Sequence, residues 1–141
     1  MTTEALYQYL ASQPLGVVST ICTIGAPQAA VVGIAVSPQL AIIFDTVSTS
    51  RKYANIIGNP KVAMVIGWED ETTVQLEGTA SLLPHGESHP LKEIYFTRFP
   101  DGRVRAATWP DLVHFVVTPQ WIRYSNFNDA KEPVKEWEFK Q

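Results

Sequence analysis

The stretch STSRKYANIIGNP, residues 48–60, decides how the chain is read. Its Ser/Thr run offers helix caps and Gly58-Asn59-Pro60 closes it, so the spacing predicts a short helix. Tyr53, Ile56 and Ile57 supply an apolar stripe for that helix. Its first turn, however, carries Arg51 and Lys52. The positive end of the helix macrodipole favours carboxylates there, and a cation costs about 0.3 kcal/mol or more.

Working outward, the helix is isolated in a β-rich chain. Upstream lie GVVSTICTIG (16–25), QAAVVGIAV (28–36) and LAIIFDTV (40–47), separated by Gly25-Ala26-Pro27 and Ser37-Pro38-Gln39. Runs of Val, Ile and Thr so punctuated read as an antiparallel meander. Downstream, KVAMVIGW (61–68) is followed by TTVQLEGTASLL (72–83). There Val74, Leu76 and Gly78 alternate with Gln75, Glu77 and Thr79, the period of a sheet with one wet face. A first helix is expected over the opening dozen residues, capped by Thr2 or Thr3. Another is expected from about Glu87 to Arg98, with a turn at FPDGR (99–103). TWPDLVHFVVTPQWIRYS (108–125) reads as two short strands broken at Pro119, and the polar tail offers Trp137 and Phe139 as anchors. Five to seven strands with one short helix between the third and fourth predict a mainly β, closed or split antiparallel barrel. No linker or repeat interrupts it, so residues 1–141 are expected to form one domain.

Composition narrows the function. The 141 residues are 45% hydrophobic, with 11 basic and 14 acidic residues and a formal net charge of −3. Without a concentrated basic face, nucleic acid and anionic membranes are poor partners. No apolar run approaches the roughly 18 residues of a membrane span, and the N-terminus lacks the signal-peptide pattern, so a cytoplasmic location is expected. Cys22 is the single cysteine, which rules out an internal disulfide; a small buried hydrophobe is its expected role.

Two readings of Arg51 and Lys52 follow from the residues alone. In one they are solvated surface charges. In the other, the unpaired N–H groups of the helix start join Ser48, Thr49 and Ser50, the Arg51 fork and the Lys52 point charge to make an anion nest suited to phosphate. Other chemistry has less support. His85 and His89 stand four apart, a spacing two zinc ligands could use, but Pro84, Gly86 and Pro90 around them point to a loop leading into a helix cap. His114, within LVHFVV, reads as a hydrogen-bonded core or face residue, and no Ser–His–acid trio or carboxylate pair emerges.

From Phe44 to Leu83 the chain resembles the FMN-binding split-barrel family typified by pyridoxamine 5′-phosphate oxidase. FDTVSTSRKYANIIGNPKVAMVIGW is followed by TTVQLEGTASL in the family's order, and weaker similarity runs from about Gly16 to Tyr124. The resemblance implies a split β-barrel homodimer with FMN at the subunit interface. In it the positions of Arg51 and Lys52 hold the FMN phosphate, with Ser50 beside them. Thr46 lies against the cofactor, and the position of Thr73, Gln in the oxidases, contacts it from the next strand. Trp121 or Tyr124 is the candidate to cover the ring.

Departures from the family pattern bear on the substrate. The oxidases place Arg and Lys where this chain has Ala30 and Ala35. Tyr95 keeps a tyrosine used for substrate phosphate, but the arginine position is Phe99, and Arg98 is displaced by one residue, about 100° around a helix. Ser125 replaces a flavin-side tryptophan, and the C-terminal Arg-x-His element is missing. The resulting expectation is an FMN flavoprotein, an oxidoreductase acting on a small molecule other than the B6 vitamer. A non-catalytic flavin sensor or store, or a relative carrying deazaflavin or haem, is the alternative.

Overall fold

The computed structural model describes residues 1–140. Thr2 caps α1 (Thr3–Ala11), its hydroxyl accepting from Ala5 N at 3.1 Å, and Leu6 and Leu10 enter the core. β1 (Leu15–Ile21) pairs antiparallel with β2 (Pro27–Gly33) through the turn at Gly25, whose φ of 83° suits glycine. Cys22 falls in that turn, half-buried, rather than inside a strand as expected. β3 (Ala35–Val36) follows β2 across Ile34 alone, and β4 is Ile42–Val47. Then come α2 (Arg51–Gly58), β5 (Lys61–Ile66) and β6 (Thr72–Leu82). The expected stripe on α2 is only partly used: Ile56 is buried, while Ile57 remains exposed.

The strand order is β2-β1-β5-β6-β7-β4-β3, where β7 is Leu112–Asn126, and β8 (Val134–Glu138) pairs β7 off this path. The two ends of that order, β2 and β3, are consecutive in the chain. The run 27–36 thus pairs with β1 first and with β4 afterwards, which wraps the sheet into the expected mainly antiparallel split barrel. Phe44, Phe115, Ile42, Ile66, Leu76 and Ile122 fill its interior. On β6 the burial alternates as the sequence predicts, with Val74, Leu76 and Gly78 inward.

Three elements differ from expectation. FPDGR is not a plain turn: α3 (Pro90–Arg98) ends at Phe99 and α4 (Pro100–Thr108) begins at once. Pro100 at the first position and Asp101 in the first turn are good helix starters, and the turn-like composition masked them. Pro119 does not break β7, because the ladder with β6 shifts register at Glu77/Gly78 just opposite, the place where a proline is tolerated. The tail forms β8, and Trp137 and Phe139 do pack against the barrel core. His89 caps α3 as expected, its Nδ1 accepting from Leu91 N at 3.1 Å.

Candidate functional site

Ser50 caps α2 in extended backbone (φ −74°, ψ 157°), and its Oγ accepts from Tyr53 N at 3.2 Å. Thr46, buried at the end of β4, donates its hydroxyl to Ser50 Oγ at 2.9 Å. Lys52 Nζ in turn donates to Thr46 Oγ1 at 3.4 Å. The hydroxyls of Thr46 and Ser50 and the Lys52 ammonium therefore form one hydrogen-bonded chain at the start of α2. Arg51 leans the other way, its Nε donating to Gln28 Oε1 on β2 at 2.9 Å.

Two further residues, Gln28 and Asn55, complete the arrangement without having been foreseen. Asn55 Nδ2 donates to Gln28 Oε1 and to Thr20 Oγ1, each at 2.9 Å, and so ties α2 to both strands of the first hairpin. A signal was present: Asn55 is four residues after Arg51, on the same helix face, and Gln28 is the one polar side chain in QAAVVGIAV.

The electrostatics of this corner are one-sided. The first turn of α2 holds no acidic residue, and its leading N–H groups have no intrahelical acceptor. Among the described residues, neither Arg51 nor Lys52 makes an ion pair with a carboxylate. Both line a hollow of about 330 Å³ whose other walls are Val18, Thr20, Gln28, Ala29 and Ala30. Two free cations, a helix start and hydroxyls beside an open hollow can hold a phosphate or another compact dianion.

The remaining expected site residues lie elsewhere in the protomer. Thr46 pairs with Val113 on β7, whereas Thr73 pairs with Ser125. Across the sheet, Thr73 on β6 is separated by β5 from β1, whose Val18 and Thr20 line the hollow. Thr73 Oγ1 is buried with no hydrogen-bond partner among the described residues. Trp121 stands on the outer face of the sheet, where its Nε1 donates to Glu136 Oε2 on β8 at 3.2 Å. Tyr124 points into the barrel core, packed edge-on against Tyr9 at 5.6 Å. None of the three lines the hollow beside Arg51.

The positions where the resemblance expects basic groups are apolar in space as well as in sequence. Ala30 lines the hollow and Ala35 is buried. Phe99 stacks on Tyr95 at 5.0 Å and lies over Gly33, where an added Cβ would meet its ring at 3.1 Å. Tyr95 is itself buried, and its hydroxyl pKa is raised, first by burial and then by Asp45. Across from Asp45 on β4, His114 is held below the usual imidazole range mainly by burial, against the pull of Asp45. Its Nε2 has no partner among the described residues, so it is a core residue but not a fully hydrogen-bonded one.

The sequence pattern of the family described as pyridoxamine 5′-phosphate oxidase matches residues 2–126. Among solved structures, the fold is similar to General Stress Protein 26 from Bacillus anthracis str. Sterne, with a TM-score of 0.74 and 20% identity over 97% of this chain and 98% of that one. It is similar to HutZ, the haem storage protein from Vibrio cholerae, with a TM-score of 0.70 and 15% identity over 84% and 91% of the two chains. A haem-binding protein from Mycobacterium smegmatis matches with a TM-score of 0.76 and 17% identity, over 96% of this chain and 57% of its own length. At such identities the likeness is one of fold. No curated protein sequence matches the chain, and no helix among the described residues is long and apolar enough to cross a membrane.

Proposed function

The chain belongs to the pyridoxamine 5′-phosphate oxidase family, and on that footing we propose that it is an FMN-binding oxidoreductase acting on a small molecule, its cofactor phosphate held at the start of α2. The observation that carries the reading is the pair Arg51 and Lys52. They line one hollow, at a helix start without acidic residues, and have no carboxylate partner among the described residues. The Arg51 guanidinium offers a fork and Lys52 a point charge, while Ser50 and Thr46 orient Lys52 through their linked hydroxyls. Bound FMN supplies hydride chemistry to such a site; the chain's part is to anchor, orient and enclose it.

A homodimer with the site at the subunit interface accounts for one of the residues left over. Trp121, on the outer sheet face, does not line its own protomer's hollow, and a second copy can present it there; the Thr73 hydroxyl is enclosed within its own protomer and is not offered in this way. The outer sheet face supports this reading, since Val31 and Val65 stand exposed there beside Val17 and Trp121. A pyridoxamine phosphate substrate is disfavoured: Ala35 and Phe99 replace its charged partners, each such contact being worth about 1.5–3 kcal/mol.

Haem is the second reading, prompted by HutZ and the mycobacterial haem-binding protein. The histidines support it less well. His89 is engaged as a cap, His114 is buried under α3, and no histidine lines the hollow beside Arg51. The absorbance spectrum of the purified protein, reconstituted with either cofactor, tests the proposal. A flavin spectrum with reduction by a nicotinamide or dye donor supports it. Stable flavin binding without turnover reassigns the protein as a flavin store or sensor. Haem uptake with no flavin uptake overturns the proposal.

A further inference from the structure

On the opposite face of β4 from Thr46, a hollow of about 440 Å³ opens between the α3–α4 hairpin and the loop at 84–88. Phe96, Ala106, Leu112 and Trp109 give it apolar walls, and Trp109 is half-exposed at its rim. Two titratable residues in its lining are more than nine-tenths buried: Lys92, 6% exposed, and His114, 3% exposed.

Lys92 is a buried cation whose hydrogen bonds run only to neutral groups. Its Nζ donates to the carbonyl oxygens of Pro84 and Glu87, and among the described residues no carboxylate lies within ion-pair distance. An ammonium has three protons to give, so one is unspent. Burial lowers the Lys92 pKa, and the exposed Glu87 carboxylate draws it only part of the way back. His114 adds a second unmet group, since Nε2 has no partner among the described residues. Arg103 contributes little free charge, because Glu93 takes its fork at 3.2 and 2.5 Å and its guanidinium lies over the Phe96 ring. A buried ammonium and an unpartnered imidazole nitrogen beside apolar walls call for one missing anion.

We propose that this hollow binds a small organic carboxylate with an aromatic or branched apolar body. The carboxylate takes the unspent proton of Lys92 and a hydrogen bond from His114 Nε2, and the body lies against Phe96 and Trp109. This site is separate from the hollow beside Arg51 and does not depend on which cofactor fills that one.

Titration of the protein with benzoate, phenylacetate and isovalerate, each against its neutral amide, tests the proposal through amide chemical shifts. At least one carboxylate is expected to give saturable shifts grouped at residues 85–88, 92, 109 and 114, with its amide binding at least tenfold more weakly. Lys92→Met, which keeps the stem and removes the charge, is expected to abolish the saturable shifts. The comparison of acid with amide needs only the wild-type protein, so it decides the matter even where that variant fails to fold. Absence of saturable shifts for all three acids, equal binding of acid and amide, or shifts grouped elsewhere would overturn it.

Discussion

Gln28 holds Arg51 by its Nε, at 2.9 Å, and leaves the two terminal nitrogens of the guanidinium without a partner among the described residues. The side chain is thus fixed at its root while its fork stays open. Such an arrangement is what a bidentate anion contact needs, because the entropy of ordering the arginine is already spent.

Gln28→Ala should therefore weaken FMN binding without harming the fold. The expected loss is about tenfold in affinity, near 1.4 kcal/mol, from an unanchored Arg51 and an Asn55 that keeps only Thr20. Flavin fluorescence titration reads the affinity and a thermal melt reads the fold; an unchanged affinity would remove Gln28 from the site.

That residue also marks the limit of what the sequence can show. The cap at Ser50, the SRK turn and the alternation on β6 are local patterns, governed by spacings of a few residues, and each was legible. The link from Arg51 and Asn55 to Gln28 spans more than twenty residues and exists only after β2 has wrapped beside α2. The same holds for β7. Its continuity through Pro119 depends on a register shift in a partner strand, which no reading of β7 alone could reveal. α4 was hidden differently, since its Pro-Asp-Gly start has the composition of a turn as well as that of a helix N-terminus.

Ala30 is predicted to be a position of gain. It lines the hollow with Arg51 and Lys52, so Ala30→Arg adds a third cation beside the same phosphate. Affinity for FMN should rise about tenfold, in keeping with one charge-assisted contact, and fall back as salt is raised. Unchanged or weaker binding would place the phosphate away from β2.

His114 predicts how stability responds to acid. Its folded pKa is lowered, chiefly by burial, so the unfolded chain takes up the proton first. Stability from this group is full above the unfolded value of about 6.5 and declines as the pH falls toward the folded value. His114→Phe keeps the edge-on packing against Tyr95 and Phe96 and should flatten the slope of urea-unfolding free energy between about pH 7 and pH 5. An unaltered slope would assign the acid sensitivity to other groups.

Val65 tests the second copy. It is 39% exposed on the outer sheet face, in the shallow groove that also includes Val17 and Trp121. Val65→Glu adds a second carboxylate to a groove that Glu77 already lines, between Val17 and Gln75 on the neighbouring strands, and should convert a dimer to a monomer in sedimentation, with loss of bound flavin. A variant that stays dimeric would place the subunit interface on another face.

The central claim is that a cofactor phosphate completes the charge at the start of α2. FMN titration of the wild type beside the Arg51→Ala/Lys52→Ala variant, followed by quenching of flavin fluorescence, tests it most directly. The account predicts saturable one-per-subunit binding to the wild type and a loss of at least about a hundredfold in the variant, with circular dichroism unchanged, since each contact contributes about 1.5–3 kcal/mol. A wild type that takes up no FMN, or a variant that binds it equally well, would contradict it.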